Sequence, residues 1–379
     1  MFFGGIDVVS HGLFAALSVL VVACPCVVGL ATPVALAAGL NKAARNHILI
    51  RDTSALEQMR NVDVVVFDKT GTLTEGHPTV IGWLWAQGQE EHYKDVLLAA
   101  ESTSDHPLAE AIVTALEGEE QVIPAHLDGF ESIAGKGVRV AYQGAEYWVG
   151  SHKLLKDYQA NLSDILADML TQYESDGNSI VYFGRENDLL AVIAIKDQLR
   201  VTSMEAIREL RIQDIEICML TGDGERTASS VAGSLGIMRF VADAMPDDKE
   251  DFIHKLQLQG KTVAMVGDGV NDARALSCAD VSIAMGKGTD TLMDTAMITL
   301  RTSDLLLLPK VFRLSRQTVS LMYRNLFWAF IYNTVGIFVA AGVLYPVYDI
   351  LLSPALAGAA MALSCVSVAL SSLRLSSRF

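Results

Sequence analysis

NVDVVVFDKTGTLTEG, residues 61–76, holds a largely apolar, β-branched run that ends in a carboxylate and a glycine–threonine turn. Val62 to Phe67 suits a strand buried on both faces of a parallel sheet. Asp68 then falls at the C-terminal end of that strand, where open α/β sheets hold their ligands. Taken alone, such a turn reads as a capped strand-to-helix connection. Three later segments repeat the pattern: Glu216–Leu220 runs into TGDGERTA, Thr262–Val266 into GDGVNDA, and Val281–Ala284 into MGKGTD. Short apolar strands separated by helical sequence predict a doubly wound α/β domain. Asp68, Asp223, Asp268 and Asp272 are then expected at one sheet edge. Clustered carboxylates need a cation, most simply Mg²⁺ with a phosphate. The sequence has no G-x-x-x-x-G-K-[ST] loop, which excludes a P-loop nucleotide site.

Outward from this core the chain becomes apolar. Of 379 residues, 51% are hydrophobic, and the mean hydropathy is +0.33, more than a soluble domain of this length usually shows. Three runs approach the roughly 20 residues of a membrane span: Gly12 to Gly39, Leu326 to Leu344 and Ile350 to Leu373. Lys42, Arg45 and Arg51 follow the first run, Lys310, Arg313, Arg316 and Arg324 precede the second, and Arg374 and Arg378 follow the third. The positive-inside rule puts the large polar part and the C-terminus in the cytosol and the stub MFFGGIDVVSH outside. That stub has no basic n-region or cleavage site, so no signal peptide is expected. A net charge of −15 argues against nucleic acid as a partner. The five cysteines do not look like a disulfide framework.

Residues 79–194 have a different character, with ESTSDHPLAEAI and GFESIAGKGVRV, and Lys136 to Val149 reads as a hairpin turning at YQGA. His106, before a helix start, has the sequence position of a cap or loop histidine. The expected boundaries are 1–46 for a first membrane helix, 47–78 and 195–308 for the two parts of the doubly wound α/β domain, 79–194 for an inserted α+β domain, and 309–379 for two further membrane helices.

Cys24-Pro25-Cys26 interrupts the first span. Proline removes a helix hydrogen bond, and in lipid that is tolerated where the backbone meets protein or a polar cavity. On an intact helix Cys24 and Cys26 point to nearly opposite sides; an unwound turn lets both face one pocket. Two thiolates suit Cu(I) or Zn²⁺ more than Mg²⁺ or Ca²⁺. Two buried small hydrophobes beside a kink is the plain alternative.

DKTGTLT, TGD and GDGVND together resemble the P-type ATPases, built on a haloacid-dehalogenase-like core, through essentially the whole chain. The resemblance implies that Asp68 takes the γ-phosphate of ATP as an aspartyl phosphate. It implies catalytic roles for Lys69, Thr70, Thr221, Gly222, Asp223, Lys249 and Asn271, with Asp68, Thr70, Asp268 and Asp272 around Mg²⁺ and Asp197 lining the site from the hinge side. Phosphatases of this fold carry a second Asp two positions after the nucleophile; Thr70 stands there instead, so the phosphoenzyme should persist. SxxHP resembles the nucleotide domain of the heavy-metal branch and implies Glu101, His106, Gly135 and Gly137 as ATP contacts. Ser151 replaces the Asn frequent after Gly150.

CPC followed by GLATP resembles the metal-binding span of that branch, with Tyr332, Asn333, Met361 and Ser364 completing the ion site as in its Cu(I) members. The implied function is ATP-driven transport of a soft cation, foremost Cu(I), with a Zn(II)/Cd(II) pump and a non-pumping metal- or nucleotide-binding membrane protein as alternatives. The implied setting is a bacterial plasma membrane, with a soluble metallochaperone as ion donor. No Thr-Gly-Glu actuator motif occurs, so the expectation is the C-terminal part of a pump.

Overall fold

The computed structural model describes residues 6–86, 90–104, 106–119, 122–160, 170–171, 173–174, 176–268, 272–286, 295–348 and 351–377. The chain divides into two units, Asn61–Pro309 and a second one made of Met1–Arg60 with Lys310–Phe379.

Among the described residues thirteen strands are formed: β1 (Ile48–Ile50), β2 (Val64–Asp68), β3 (Thr79–Trp85), β4 (Gly129–Ile133), β5 (Gly137–Tyr142), β6 (Ala145–Gly150), β7 (Ser179–Arg185), β8 (Asp188–Lys196), β9 (Glu216–Leu220), β10 (Arg239–Val241), β11 (Val263–Gly267), β12 (Val281–Met285) and β13 (Ile298–Leu300). Within the unit Asn61–Pro309 a parallel sheet runs in the order β13-β12-β11-β2-β9-β10. Every residue of β2, β11 and β12 is buried, as continuous apolar runs in a two-sided sheet require. Asp68 lies level with Leu220, and Phe67 with Val266, so the polar segments after β2, β9 and β11 emerge along one edge. Val64, Val66, Leu220 and Met265 pack against Ile253 and Leu256 of the helix Pro246–Leu258.

Between β2 and β9 the chain builds a second, antiparallel sheet in the order β3-β8-β7-β6-β5-β4. The hairpin β5–β6 turns at Gln143 and Gly144, both at positive φ, the geometry that suits a two-residue hairpin loop. The helices Glu90–Glu101 and Pro107–Glu117 bury Leu97, Ile112 and Leu116 against Val149, Phe183 and Ile193. Beside Leu154 and Tyr182, Trp148 stacks on Tyr158 at 5.1 Å and donates its indole N–H to Glu186 O at 2.9 Å.

The helical unit contains the helices Ile6–Val22, Cys26–Arg45 and Pro354–Ser377, with most of Leu307–Ala340. Its contacts are close and small-residue based. A Cβ on Gly39 would stand 2.6 Å from Thr318 Oγ1, and one on Gly336 would stand 2.7 Å from Val22 Cγ1. Asn325 Nδ2 donates to Ser372 Oγ at 3.0 Å, and Ser18 Oγ to Leu352 O at 2.6 Å. Among the described residues two stretches are long and apolar enough to cross a membrane, Ser10–Arg45 and Pro354–Leu375. The second expected span, Leu326 to Leu344, overlaps the end of the helix Leu307–Ala340, where Arg324, Asn325, Tyr332 and Asn333 dilute the apolar character. The residues 1–5 of the expected outer stub lie outside the described residues.

Candidate active site

Asp68 ends β2 and is 6% exposed. The loop after it folds back on itself. Thr74 N donates to Lys69 O at 3.2 Å, and Gly71 N donates to Thr74 Oγ1 at 3.0 Å. The Thr74 hydroxyl donates to Asp197 Oδ2 at 2.5 Å, while Gly76 N donates to Asp197 Oδ1 at 3.1 Å. Asp197 thus clamps the loop rather than facing the carboxylates. Gly71 has φ +70°, and a Cβ there would lie 1.5 Å from Asp268 Oδ2. Glycine is required both by the left-handed backbone and by the space that Asp268 fills.

Carboxylate oxygens of Asp68, Asp268 and Asp272 all lie within 4.8 Å of one another. Lys249, one turn into the helix Pro246–Leu258, bridges two of them, with Nζ 2.5 Å from Asp68 Oδ1 and 2.8 Å from Asp272 Oδ1. Pro246 at the first helical position and Asp248 Oδ2 accepting from Met245 N at 2.9 Å set where that helix starts. Burial opposes the Lys249 charge, but the two carboxylates hold its pKa above the ordinary lysine value. Burial, with the Asp68 and Asp272 charges, pushes Asp268 up to about 7. Asp272 is also raised, by burial and by Asp68. Three carboxylates against one ammonium leave excess negative charge, and the donors are hard oxygens. That set fits Mg²⁺, whose octahedral ligands stand about 3–4 Å apart at bond lengths of about 2.0–2.1 Å.

Asp223 does not join this trio. It pairs instead with Lys69, and accepts from Ser179 Oγ at 2.9 Å and Thr221 Oγ1 at 3.1 Å. Burial works against its charge, yet Lys69 and these hydrogen bonds hold its pKa below the usual carboxylate range. Gly222 lies in the turn between Thr221 and Asp223. Thr70 is half-buried in the loop. Asn271 lies outside the described residues.

Two groups escaped the sequence reading. Arg200 is 8% exposed and donates to Gly71 O and, at 3.0 Å, to Thr72 O. It sits three residues after Asp197 in KDQLR, and that spacing was the available signal. Ser179 begins β7 and ties Lys69 to Asp223, with Lys69 Nζ donating to it at 3.2 Å. Its only signal was a small polar residue heading an apolar strand.

In the antiparallel domain, Glu101 ends its helix at 6% exposure, and burial raises it to about 7. His106 is exposed and caps the helix Pro107–Glu117, its Nδ1 accepting from Leu108 N at 3.2 Å. Gly135 has φ +68°, and a Cβ there would lie 2.6 Å from Met245 Cε. Gly137 has φ +143° and runs against Val149 O and Gly150. Beside this turn Ser151 N donates to Lys136 O at 2.8 Å, and Ser151 Oγ is buried without a hydrogen-bond partner among the described residues.

In the helical unit the chain breaks at Ala23–Pro25, between Ile6–Val22 and Cys26–Arg45. Cys24 and Cys26 face the same side, as the unwound turn predicts, but they form a disulfide rather than two separate thiols. A disulfide has no thiolate, so ligation requires its reduction. Met361 packs against apolar groups on both sides of the break, around Val22 and around Val27. Ser364 Oγ and Asn333 Oδ1 are buried without hydrogen-bond partners among the described residues. Tyr332 differs from the expectation: it is 44% exposed and stacks on Trp328, along the outward aromatic stripe that Phe327 shares.

The haloacid dehalogenase-like hydrolase family model matches residues 62–280. A copper-exporting P-type ATPase of Legionella pneumophila subsp. pneumophila is 43% identical over 97% of this chain and 50% of its own length. A silver-exporting P-type ATPase of Salmonella typhimurium is 44% identical over 97% of this chain and 44% of its own length. The chain thus spans about half the length of the curated relatives it matches. Among solved structures, a zinc-transporting PIB-type ATPase in its E2.Pi state is 34% identical with a TM-score of 0.65, covering 93% of this chain and 56% of that one. The catalytic domain of the CPx-ATPase CopB-B is 28% identical with a TM-score of 0.60, covering 72% of this chain and 97% of that one. The chain belongs to the haloacid dehalogenase-like hydrolases and, within them, to the heavy-metal P-type ATPases.

Proposed function

We propose that this chain is the phosphorylating part of an ATP-driven exporter of a soft metal ion, foremost Cu(I). The observation that carries the reading is Asp68 at a strand end, bridged through Lys249 to Asp272 and within 4.8 Å of Asp268. In this reading an Asp68 carboxylate oxygen attacks the γ-phosphorus of ATP. The new O–P bond forms as the bond to the β-phosphate oxygen breaks, and ADP leaves. Lys249 is held where charge builds on the transferring phosphoryl group. Asp68, Asp268 and Asp272, with Thr70, would hold Mg²⁺, which when bound offsets the phosphate charge. Lys69, kept rigid by Asp223 and Ser179, fixes the loop behind the nucleophile. Glu101, raised to about 7, carries a proton part of the time and can donate it to a purine nitrogen. The Gly135–Gly137 turn, with the orphaned Ser151 Oγ beside it, offers backbone close enough for a purine.

Cys24, Cys26 and Met361 are the proposed soft ligands of the transported ion, and Asn333 Oδ1 and Ser364 Oγ its polar ones. Tyr332 is kept in the proposal as a neighbour of Asn333. The outward apolar residues Leu20, Phe327, Phe338 and Leu363 support a bilayer setting. With the Lys and Arg placement, they support a bacterial plasma membrane with the catalytic unit in the cytosol, where a metallochaperone would deliver the ion. The test is γ-³²P-ATP labelling of the complete pump. Wild type should form an acid-stable, hydroxylamine-labile adduct, and Asp68→Asn should show none. Persistent labelling of Asp68→Asn removes the reading. Stimulation of turnover by Cu(I), lost in a Cys24→Ser/Cys26→Ser variant, supports copper; stimulation by Zn²⁺ alone replaces copper with zinc.

A further inference from the structure

Among the described residues a second group of ligand-type side chains converges away from the carboxylate edge. Glu250 and His254 lie one turn apart on the helix Pro246–Leu258, and Cys278 ends the helix Ala273–Cys278. Cys278 Sγ is 3.6 Å from Glu250 Oε1, and His254 Nε2 is 3.9 Å from the same oxygen. One ligand atom of each residue lies within 4.8 Å of the others. Tetrahedral ligands on bonds of about 2.0–2.3 Å stand about 3.3–3.8 Å apart, so a small inward adjustment closes the set on one ion.

The neighbours prepare these groups. Gln257 Nε2 donates to Cys278 O at 2.8 Å, which fixes the amide so that Oε1 faces His254 Nδ1 at 3.2 Å. An amide oxygen only accepts, so Nδ1 carries a proton, and in the neutral ring Nε2, on the Glu250 side, is the nitrogen left to bind an ion. Such an outer partner is how metal-ligating histidines are oriented. Arg274 Nη2 lies 2.7 Å from Glu250 Oε2, holding the carboxylate with Oε1 turned to the thiol and imidazole. His254 is about half-exposed, so an ion has an entry path and a water can complete the set.

We propose that Glu250, His254 and Cys278 form a Zn²⁺-binding site, separate from both the carboxylate edge and the Cys24/Cys26 pair. One sulfur, one nitrogen and one oxygen suit borderline Zn²⁺; Cu(I) favours several soft sulfurs, and Mg²⁺ only oxygens. Binding replaces the thiol proton that Cys278 donates to Glu250 with a Zn–S bond, and that proton leaves to solvent. Glu250 follows Lys249 directly, and Asp272 caps the helix that Cys278 ends. The ion would therefore clamp together two helices that already meet through the Lys249–Asp272 pair.

The test uses the full chain in detergent with Cys24→Ser and Cys26→Ser, so that the other candidate thiol site is silent. Co²⁺ should bind at one equivalent with a thiolate-to-cobalt absorption band. Zn²⁺ should displace it, and Mg²⁺ should not. Cys278→Ala should lose the band, and Gln257→Ala should weaken binding about tenfold. As a second measurement in the same background, Zn²⁺ should slow alkylation of Cys278, and His254→Ala should remove that protection. Absence of a band at saturating Co²⁺, a band undiminished in Cys278→Ala, or alkylation indifferent to Zn²⁺ each overturns the proposal.

Discussion

Lys249, buried between Asp68 and Asp272, has its charge answered on two sides. Asn333 Oδ1 and Ser364 Oγ, buried among helices, have no hydrogen-bond partner among the described residues. In the first arrangement the ammonium is paired on both sides within the folded chain, and its loss is tolerated badly. The second leaves polar atoms whose desolvation is unmatched, which the fold alone gives no reason to keep. The contrast separates groups paired within the catalytic unit from groups that, in the proposed reading, are kept for a visiting ion.

The largest expected effect comes from breaking the balanced side. Lys249→Ala leaves Asp68 and Asp272 buried and unpaired, a loss of about 3–5 kcal/mol for such a pair. Denaturant unfolding without Mg²⁺ measures it, and added Mg²⁺ should restore part of the loss. Unchanged stability would mean that the ammonium does not bind the edge together.

Next is a titration. Glu101 is raised from its ordinary value to about 7 by burial, so the folded chain holds a proton that the unfolded chain releases above pH 4.5. Stability therefore falls as pH rises from about 4.5 through 7. Glu101→Gln, which cannot ionise, should flatten that fall and gain on wild type by about 2–3 kcal/mol between pH 5 and pH 8. Parallel thermal-melting curves for the two proteins across that range would contradict the assignment.

The smallest effect is on the orphaned side. Asn333→Leu and Ser364→Ala should each leave the metal-free stability within about 1 kcal/mol of wild type, or raise it, because an unmet polar atom is removed. In the complete pump both should lower ion-stimulated turnover. A large loss of stability would place these oxygens with the balanced set and dissolve the contrast.

What could be read in advance divides along the same line. The parallel sheet and its acidic edge were legible because β2, β9, β11 and β12 are short apolar runs, each followed locally by its own polar turn. Lys69 with Ser179, 110 residues away, and Arg200 on the loop carbonyls were not, because those pairings exist only once the second sheet has folded. Pro25 announced the helix break, since proline acts on its own turn. It said nothing of a bond between the flanking sulfurs. The outward turn of Tyr332 also escaped, because a helix face is chosen by its neighbours and not by its own residues.

The seating of Met245 against Gly135 has one more consequence. Met245 heads the helix on which Lys249 stands one turn later, and a helix turn is stiff over its pitch of about 5.4 Å. A shift of the Gly135 backbone toward Met245 would therefore meet that side chain at the start of the turn that carries Lys249. In the proposed reading, a nucleotide at the glycine turn would bear on the thioether that heads the Lys249 helix, so its arrival and the placing of the phosphoryl-handling ammonium would be linked through that one side chain.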